Sequence, residues 1–205
     1  ARTPAGGGGT RGSPGRGRGT GRRHDRSTAL ADLVPLHRID RETAGLVLFG
    51  KRLQERDAYH ALFRENRIHK TYHAVAAHRP ELSLPRVHYS RLAEDPVHFF
   101  KMCEAPGEPN SETRIQLLHR ADPQALYQLE PVTGKRHQLR VHMNALGCPI
   151  VGDQFYPKVL RGPDEPEDFQ SPLQLLAKTL SFNDPVTGQA RRFDSQRQLK
   201  GAATA

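Results

Sequence analysis

The stretch His37-Arg38-Ile39-Asp40-Arg41-Glu42-Thr43-Ala44-Gly45-Leu46-Val47-Leu48-Phe49 sets the Asp40 carboxylate between Arg38 and Arg41, directly ahead of an apolar run. Nearby opposite charge favours the charged form, so Asp40 is expected to be held ionised, the state a nucleophile or general base needs. The run at 46–49, closed by Gly50, suits a short buried strand. Composition alone also admits a plainer reading, a surface turn with ion pairs, because charge clusters are usually solvated.

A second segment decides between the two: Pro131-Val132-Thr133-Gly134-Lys135-Arg136-His137-Gln138-Leu139-Arg140-Val141-His142, continued by Gly147-Cys148-Pro149-Ile150-Val151-Gly152-Asp153. In this order and at this separation the two segments resemble the RNA pseudouridine synthases of the RluA type. That family reads His-Arg-Leu-Asp-Arg, then Thr-Gly-Arg-x-His-Gln-Ile-Arg-Val-His, then Gly-x-Pro-Ile-x-Gly-Asp; Ile39, Lys135 and Leu139 are mild substitutions. The resemblance runs from about residue 35 to about residue 194, through Lys70-Thr71-Tyr72-His73-Ala74-Val75 and Leu180-Ser181-Phe182-Asn183-Asp184-Pro185-Val186-Thr187-Gly188.

The resemblance implies a role for each matching residue. Asp40 falls on the catalytic aspartate, which attacks the target uridine so that its glycosidic bond breaks and the base is re-attached through carbon. Tyr72 falls on the tyrosine that packs against the target base and is a candidate for the later proton removal. From the residues alone, Tyr72 equally suits a cross-strand packing position. Arg140 falls on the arginine that pairs with the catalytic carboxylate, a contact that suits a planar fork better than a lysine. Without the resemblance it reads as an exposed helix arginine. The basic residues beside these motifs, Arg38, Arg41, Lys70, Lys135, Arg136 and His137, are the implied RNA contacts. The implied chemistry uses no cofactor and no metal. The implied partner is ribosomal or transfer RNA, whose target uridine must be unpaired or flipped to reach Asp40.

Length and composition bound the rest. The chain has 205 residues and 36% hydrophobic residues, a low fraction with a local cause. Residues 1–26 hold nine of the 18 glycines and seven of the 31 Lys plus Arg, against the single acid Asp25, and so carry +6 of the net +9. Such a Gly/Arg stretch cannot bury enough apolar surface to offset its ordering entropy and is expected to be disordered. It reads either as a phosphate-attracting arm or as a passive appendage. The family's usual opening strands and Asp-Lys-Pro-x-Gly segment have no match in residues 1–35, so a sheet lacking one or more strands, with an unpaired edge, is expected. The catalytic domain is expected over 27–200, as a monomer.

Cys103 and Cys148 lie 45 residues apart and read as reduced thiols of a cytoplasmic protein. A zinc site from Cys148, His137 and His142 would match no structural zinc spacing. No apolar run approaches the ~20 residues of a membrane span, and no secretory signal is evident. Periodicity predicts a helix over 52–66, strands over 68–77 and 125–130, and a further strand near 113–118. It also predicts a helix over 137–146, closed by Gly147, with Leu139, Met143 and Leu146 on its buried stripe and Arg140 at the edge. The mix of Pro, Asp, Glu and Gly over 161–172 reads as an exposed loop. Together these give an α+β fold with a mixed, mostly antiparallel bent sheet, a central cleft and flanking helices. Two other functions fit the composition: a basic RNA-binding module that keeps the synthase motifs without turnover, and a structural ribosome-associated protein. The first is disfavoured because Asp40, Tyr72 and Arg140 are all present, and the second has no feature beyond charge.

Overall fold

The computed structural model describes residues 33–166 and 168–201, and the basic tail at 1–26 lies outside the described residues. Along the chain come β1 (Val34–Pro35), β2 (Ala44–Gly45), β3 (Phe49–Gly50), a 3-10 turn (Leu53–Glu55), α1 (Arg56–Arg64), β4 (His69–Ala77), β5 (Arg86–Glu94) and β6 (Met102–Ala105). Then follow β7 (Ser111–Ala121), β8 (Gln124–Pro131), α2 (Gln138–Ala145), β9 (Leu175–Asn183) and β10 (Ala190–Asp194). In β8, buried Ala125, Tyr127 and Leu129 alternate with half-buried neighbours, the period-two pattern that turns one face to a core. In β4 and β9 the buried residues run together, Ala74 to Ala76 and Leu175 to Ala177, because both faces are covered.

These strands form one sheet in the order β10-β9-β4-β8-β7-β5-β6, antiparallel throughout, while β2 joins the outer edge of β9 in parallel. The architecture is therefore α+β, with a mixed, mostly antiparallel sheet. Leu139 and Met143 of α2 pack with Ala74, Ile115, Tyr127 and Leu129; Leu62 of α1 packs with Ile68, Leu180 and Phe182. Among the described residues no helix is long and apolar enough to cross a membrane.

Three local expectations change. The apolar run at 46–49 is not one strand. Ala44 and Gly45 ladder onto β9, Phe49 and Gly50 pair with Val34 and Pro35, and Leu46 and Leu48 between them pack beneath α1. The helix over 137–146 starts at Gln138 and buries six consecutive residues rather than one stripe, so Arg140 is not at an edge but only 1% exposed. The loop over 161–172 is not wholly exposed either, because Arg161 is buried.

Candidate active site

The loop at 37–43 is fixed at both ends. Ahead of Asp40, the Leu48 N–H donates to His37 Nε2 (2.9 Å), and the His37 ring stacks on Phe63 of α1 at 4.6 Å and 13°. Beyond it, the Thr43 N–H closes a turn onto the Asp40 carbonyl (2.9 Å), and β2 seats the chain on β9. Gly45 makes that seat possible: its φ is +111°, and a Cβ there would run into the Ala177 carbonyl. On the neighbouring strand, Thr71 opposes Thr179 while Tyr72 opposes Ala177, so Lys178 is an extra residue in β9. Such a bulge re-aims side chains, and here it lies beside Tyr72.

Antiparallel pairing sets the start of β4 against the end of β8, Tyr72 opposite Leu129. The start of β4, the turn at 131–137 and the loop at 37–43 thus meet around a cavity of about 370 Å³. Asp40, Tyr72, Arg38, Lys70, Lys135, Arg136 and His137 all line it. Arg140 lies behind Asp40, and Arg41 is exposed beside the cavity, its Nη1 donating to the Pro163 carbonyl at 3.4 Å. A larger cavity of about 470 Å³, between α1, β3 and β10, holds none of the candidate catalytic or RNA-contact residues named above.

Arg140 does not give its fork to Asp40. Its Nε and Nη2 donate to the two carboxylate oxygens of Asp153 (2.8 and 2.6 Å), and Nη2 also reaches Glu42 (3.3 Å). Nη1 remains for Asp40, at 3.9 Å. Glu42 bridges Arg140 to Arg161, whose Nη2 lies 2.5 Å from its carboxylate. Asp153 in turn accepts the N–H groups of Phe155 (2.9 Å) and Tyr156 (3.1 Å), and the Phe155 ring lies 5.0 Å from the Arg140 guanidinium. Asp153, Glu42 and Arg161 are the residues around Arg140 that the sequence analysis does not single out. The first two stood inside the quoted motifs, whereas Arg161 carried no signal in a stretch rich in Pro, Gly and acids.

Electrostatics here differ from the expectation set by the flanking arginines. Burial pushes the Asp40 carboxyl above its ordinary value; Arg140, Arg38 and the His137 backbone N–H pull the other way but do not win. Burial, reinforced by the Asp40 charge, lifts the Tyr72 phenol to about 12. His137 is driven down to about 3 by burial and by Arg140, Arg136, Arg38 and Lys101, so its ring is neutral at pH 7. The proton position on that ring follows from its neighbour. The Tyr156 hydroxyl donates to the Met102 carbonyl (2.8 Å) and accepts the Met102 N–H (3.0 Å), so His137 Nδ1, 3.1 Å away, donates to it. His137 also holds φ +53° at the N-terminus of α2, a strained turn that brings its N–H to Asp40. Burial lowers Lys70, whose Nζ lies 3.5 Å from the Thr133 carbonyl.

Among the described residues, His88, Glu104 and His142 bring potential metal-ligand atoms within 4.8 Å of one another. Gln138 Nε2 donates to Thr113 Oγ1 (2.9 Å), so the Thr113 hydroxyl donates to His142 Nδ1 (2.9 Å). His142 Nε2 then carries the proton, toward Ser90 and Ser111 (3.0 Å each). The group reads as a polar network locking α2 onto β5 and β7.

The family model described as RNA pseudouridylate synthase matches residues 13–145, well over half of the chain. The Dual-specificity RNA pseudouridine synthase RluA of Vibrio cholerae is 36% identical over 155 residues, 75% of this chain and 61% of that protein. Ribosomal large subunit pseudouridine synthase C of Rickettsia felis is 32% identical over 169 residues, 81% of this chain and 53% of its own. The chain thus spans less than two thirds of these relatives. Among solved structures, Human RNA Pseudouridylate Synthase Domain Containing 1 superposes with a TM-score of 0.66 at 25% identity, over 80% of this chain and 69% of that one. A matching family model and relatives above 30% identity agree with the motifs and the sheet: the chain belongs to the RNA pseudouridylate synthase family.

Proposed function

We propose that the chain isomerises uridine to pseudouridine in ribosomal or transfer RNA, in the cytoplasm and as a monomer, with Asp40 as the nucleophile. The observation that carries this reading is the seat of Asp40. It is the acid lining a cavity of nucleoside scale, with a backbone N–H on its carboxylate, Arg140 behind it and Tyr72 beside it. The isomerisation needs no electron sink. The C1′–N1 bond breaks, the base turns, carbon 5 bonds to C1′, the proton on carbon 5 leaves and N1 takes up one, so that the net change is an isomerisation. Asp40 takes part either by bonding to the sugar or by drawing the C2′ proton, and both routes need its carboxylate ionised.

Arg140, committed to Asp153, acts on Asp40 as a fixed positive charge at 3.9 Å rather than as a forked clamp. Tyr72, at about 12, keeps its proton at rest and serves first as the surface against which the base packs. Part of that upward push comes from the Asp40 charge, so it falls once Asp40 is covalently occupied or protonated. That is the stage at which the ring proton must be removed. Lys70, Lys135, Arg136 and Arg38 border the cavity as cations for the phosphates flanking the extruded uridine.

The test uses unmodified ribosomal and transfer RNA transcripts, scored for carbodiimide-stable adducts at single uridines. Wild-type protein should create such sites and Asp40→Asn should not. A wild type that leaves every transcript unmodified would overturn the reading.

A further inference from the structure

The hairpin loop between β5 and β6 presents a feature that the proposed chemistry does not use. Phe99 is 76% exposed at its tip. Single exposed apolar side chains are ordinary on protein surfaces and by themselves carry nothing. Here two further observations apply. The loop is closed by its own hydrogen bonds: Asp95 accepts the N–H groups of Val97 (2.9 Å) and His98 (2.8 Å), and the Lys101 N–H donates to the His98 carbonyl (2.8 Å). It is also bolted to the wall of the cavity, because the guanidinium of Arg136 donates to the carbonyls of Phe99 (3.5 Å) and Phe100 (2.6 Å).

The ring orientation is fixed as well. Phe99 meets Phe100 edge-on at 5.6 Å and 87°, and Phe100 packs on Phe155 at 5.1 Å, beneath Arg140. One aromatic column therefore runs from the buried cation behind Asp40 out to solvent, ending in an open aromatic ring at the basic rim. A preorganised aromatic next to cations suits an unpaired nucleobase, which stacks on its face while the cations hold the backbone. Stacking tolerates any base, because every base has a π-face.

We propose that Phe99 is a stacking platform for an unpaired nucleobase adjacent to the uridine held in the cavity, an inference that rests on the RNA substrate class argued above. The chain has no tryptophan, so Phe99→Trp places a sole tryptophan, excited selectively at long wavelength, at the tip. Single-stranded RNA oligonucleotides carrying one uridine should quench that fluorescence on binding, whereas Phe169→Trp, equally exposed on the segment at 161–172, should not respond. Phe99→Ala should weaken RNA binding roughly 5- to 100-fold and Phe99→Tyr should restore it. Removing the base beside the uridine should erase the difference between wild type and Phe99→Ala. Equal RNA affinity for wild type and Phe99→Ala, or no quenching in Phe99→Trp, would overturn the proposal. Pseudouridine formation is scored separately, so an inactive wild type counts against the proposed reaction while the binding measurements still decide the stacking.

Discussion

Asp40 is held in a state that costs the fold. Its carboxyl sits above the ordinary value chiefly through burial, so ionising it in the native protein is harder than in the unfolded chain. Such a group contributes most stability when protonated and loses it as pH rises through the native value. The neutral variant Asp40→Asn should therefore lower turnover by about 10³-fold or more yet melt at or above the wild-type temperature near pH 7. The acid limb of the wild-type pH–rate profile should lie above that of a free carboxylate. Thermal melts and initial rates measured together check this; a clear fall in Tm for Asp40→Asn would contradict the sign. The Asp153–Arg140 pair makes the opposite prediction. Its partners are buried, and Asp153→Asn takes the forked charge partner from Arg140, leaving Glu42 (3.3 Å) and Asp40 (3.9 Å) to compensate it. Asp153→Asn should therefore destabilise by about 1–3 kcal/mol in denaturant unfolding. Arg140→Lys keeps the charge but loses the fork, and should slow turnover as well as destabilise. At this scale the motifs located Asp40, Tyr72 and Arg140, but not which acid takes the Arg140 fork. Asp153 and Arg161 reach that arginine and Glu42 through long-range packing, which local composition does not encode.

At the scale of elements, β2 does more than its two residues suggest. It continues the outer edge of β9 where β10 stops, Gly45 opposite Ala177 and Asp194 opposite Thr179, and so holds the Asp40 loop beside the strand that flanks Tyr72. Gly45→Ala meets both a left-handed φ and the Ala177 carbonyl. It should cost about 1–3 kcal/mol and, by shifting Asp40, reduce turnover on the order of 10²-fold with little change in RNA affinity. Chemical denaturation and single-turnover rates are the measurements, and unchanged rates would show that the loop keeps its place without β2. Helix α1, β7 and β8 are legible from a 3.6- or 2-residue period, and β4 from its apolar and β-branched residues. The run at 46–49 was misread because an apolar tetrad looks alike as a strand and as a packed connection, and only the partner strands decide. β10 is exposed along its length, β6 is four residues long, and β5 alternates exposed with half-buried residues that are mostly polar, so they leave little apolar signature.

For the whole molecule, charge is unevenly shared. Residues 1–26 carry +6 and none of the candidate chemistry. Deleting them should weaken RNA binding and flatten its salt dependence while leaving the modified uridine unchanged. If all six net charges met single-strand phosphates, affinity would fall roughly 300-fold for a fourfold rise in salt, which is a ceiling for such a tail. Binding isotherms at several salt concentrations, with a map of modified sites, test it; an unchanged slope would make the tail a passive appendage. The Glu42–Arg161 bridge joins residues 119 positions apart, and β2 rests on a strand made later still. That separation sets a clock on synthesis. A nascent chain displays every candidate catalytic residue by residue 153, yet the loop bearing its carboxylate lacks its β9 seat until β9 leaves the ribosome. The proposed activity would then await the delivery of β9, and chains ending near residue 170 should be inert in the carbodiimide assay although they carry Asp40, Tyr72 and Arg140 intact.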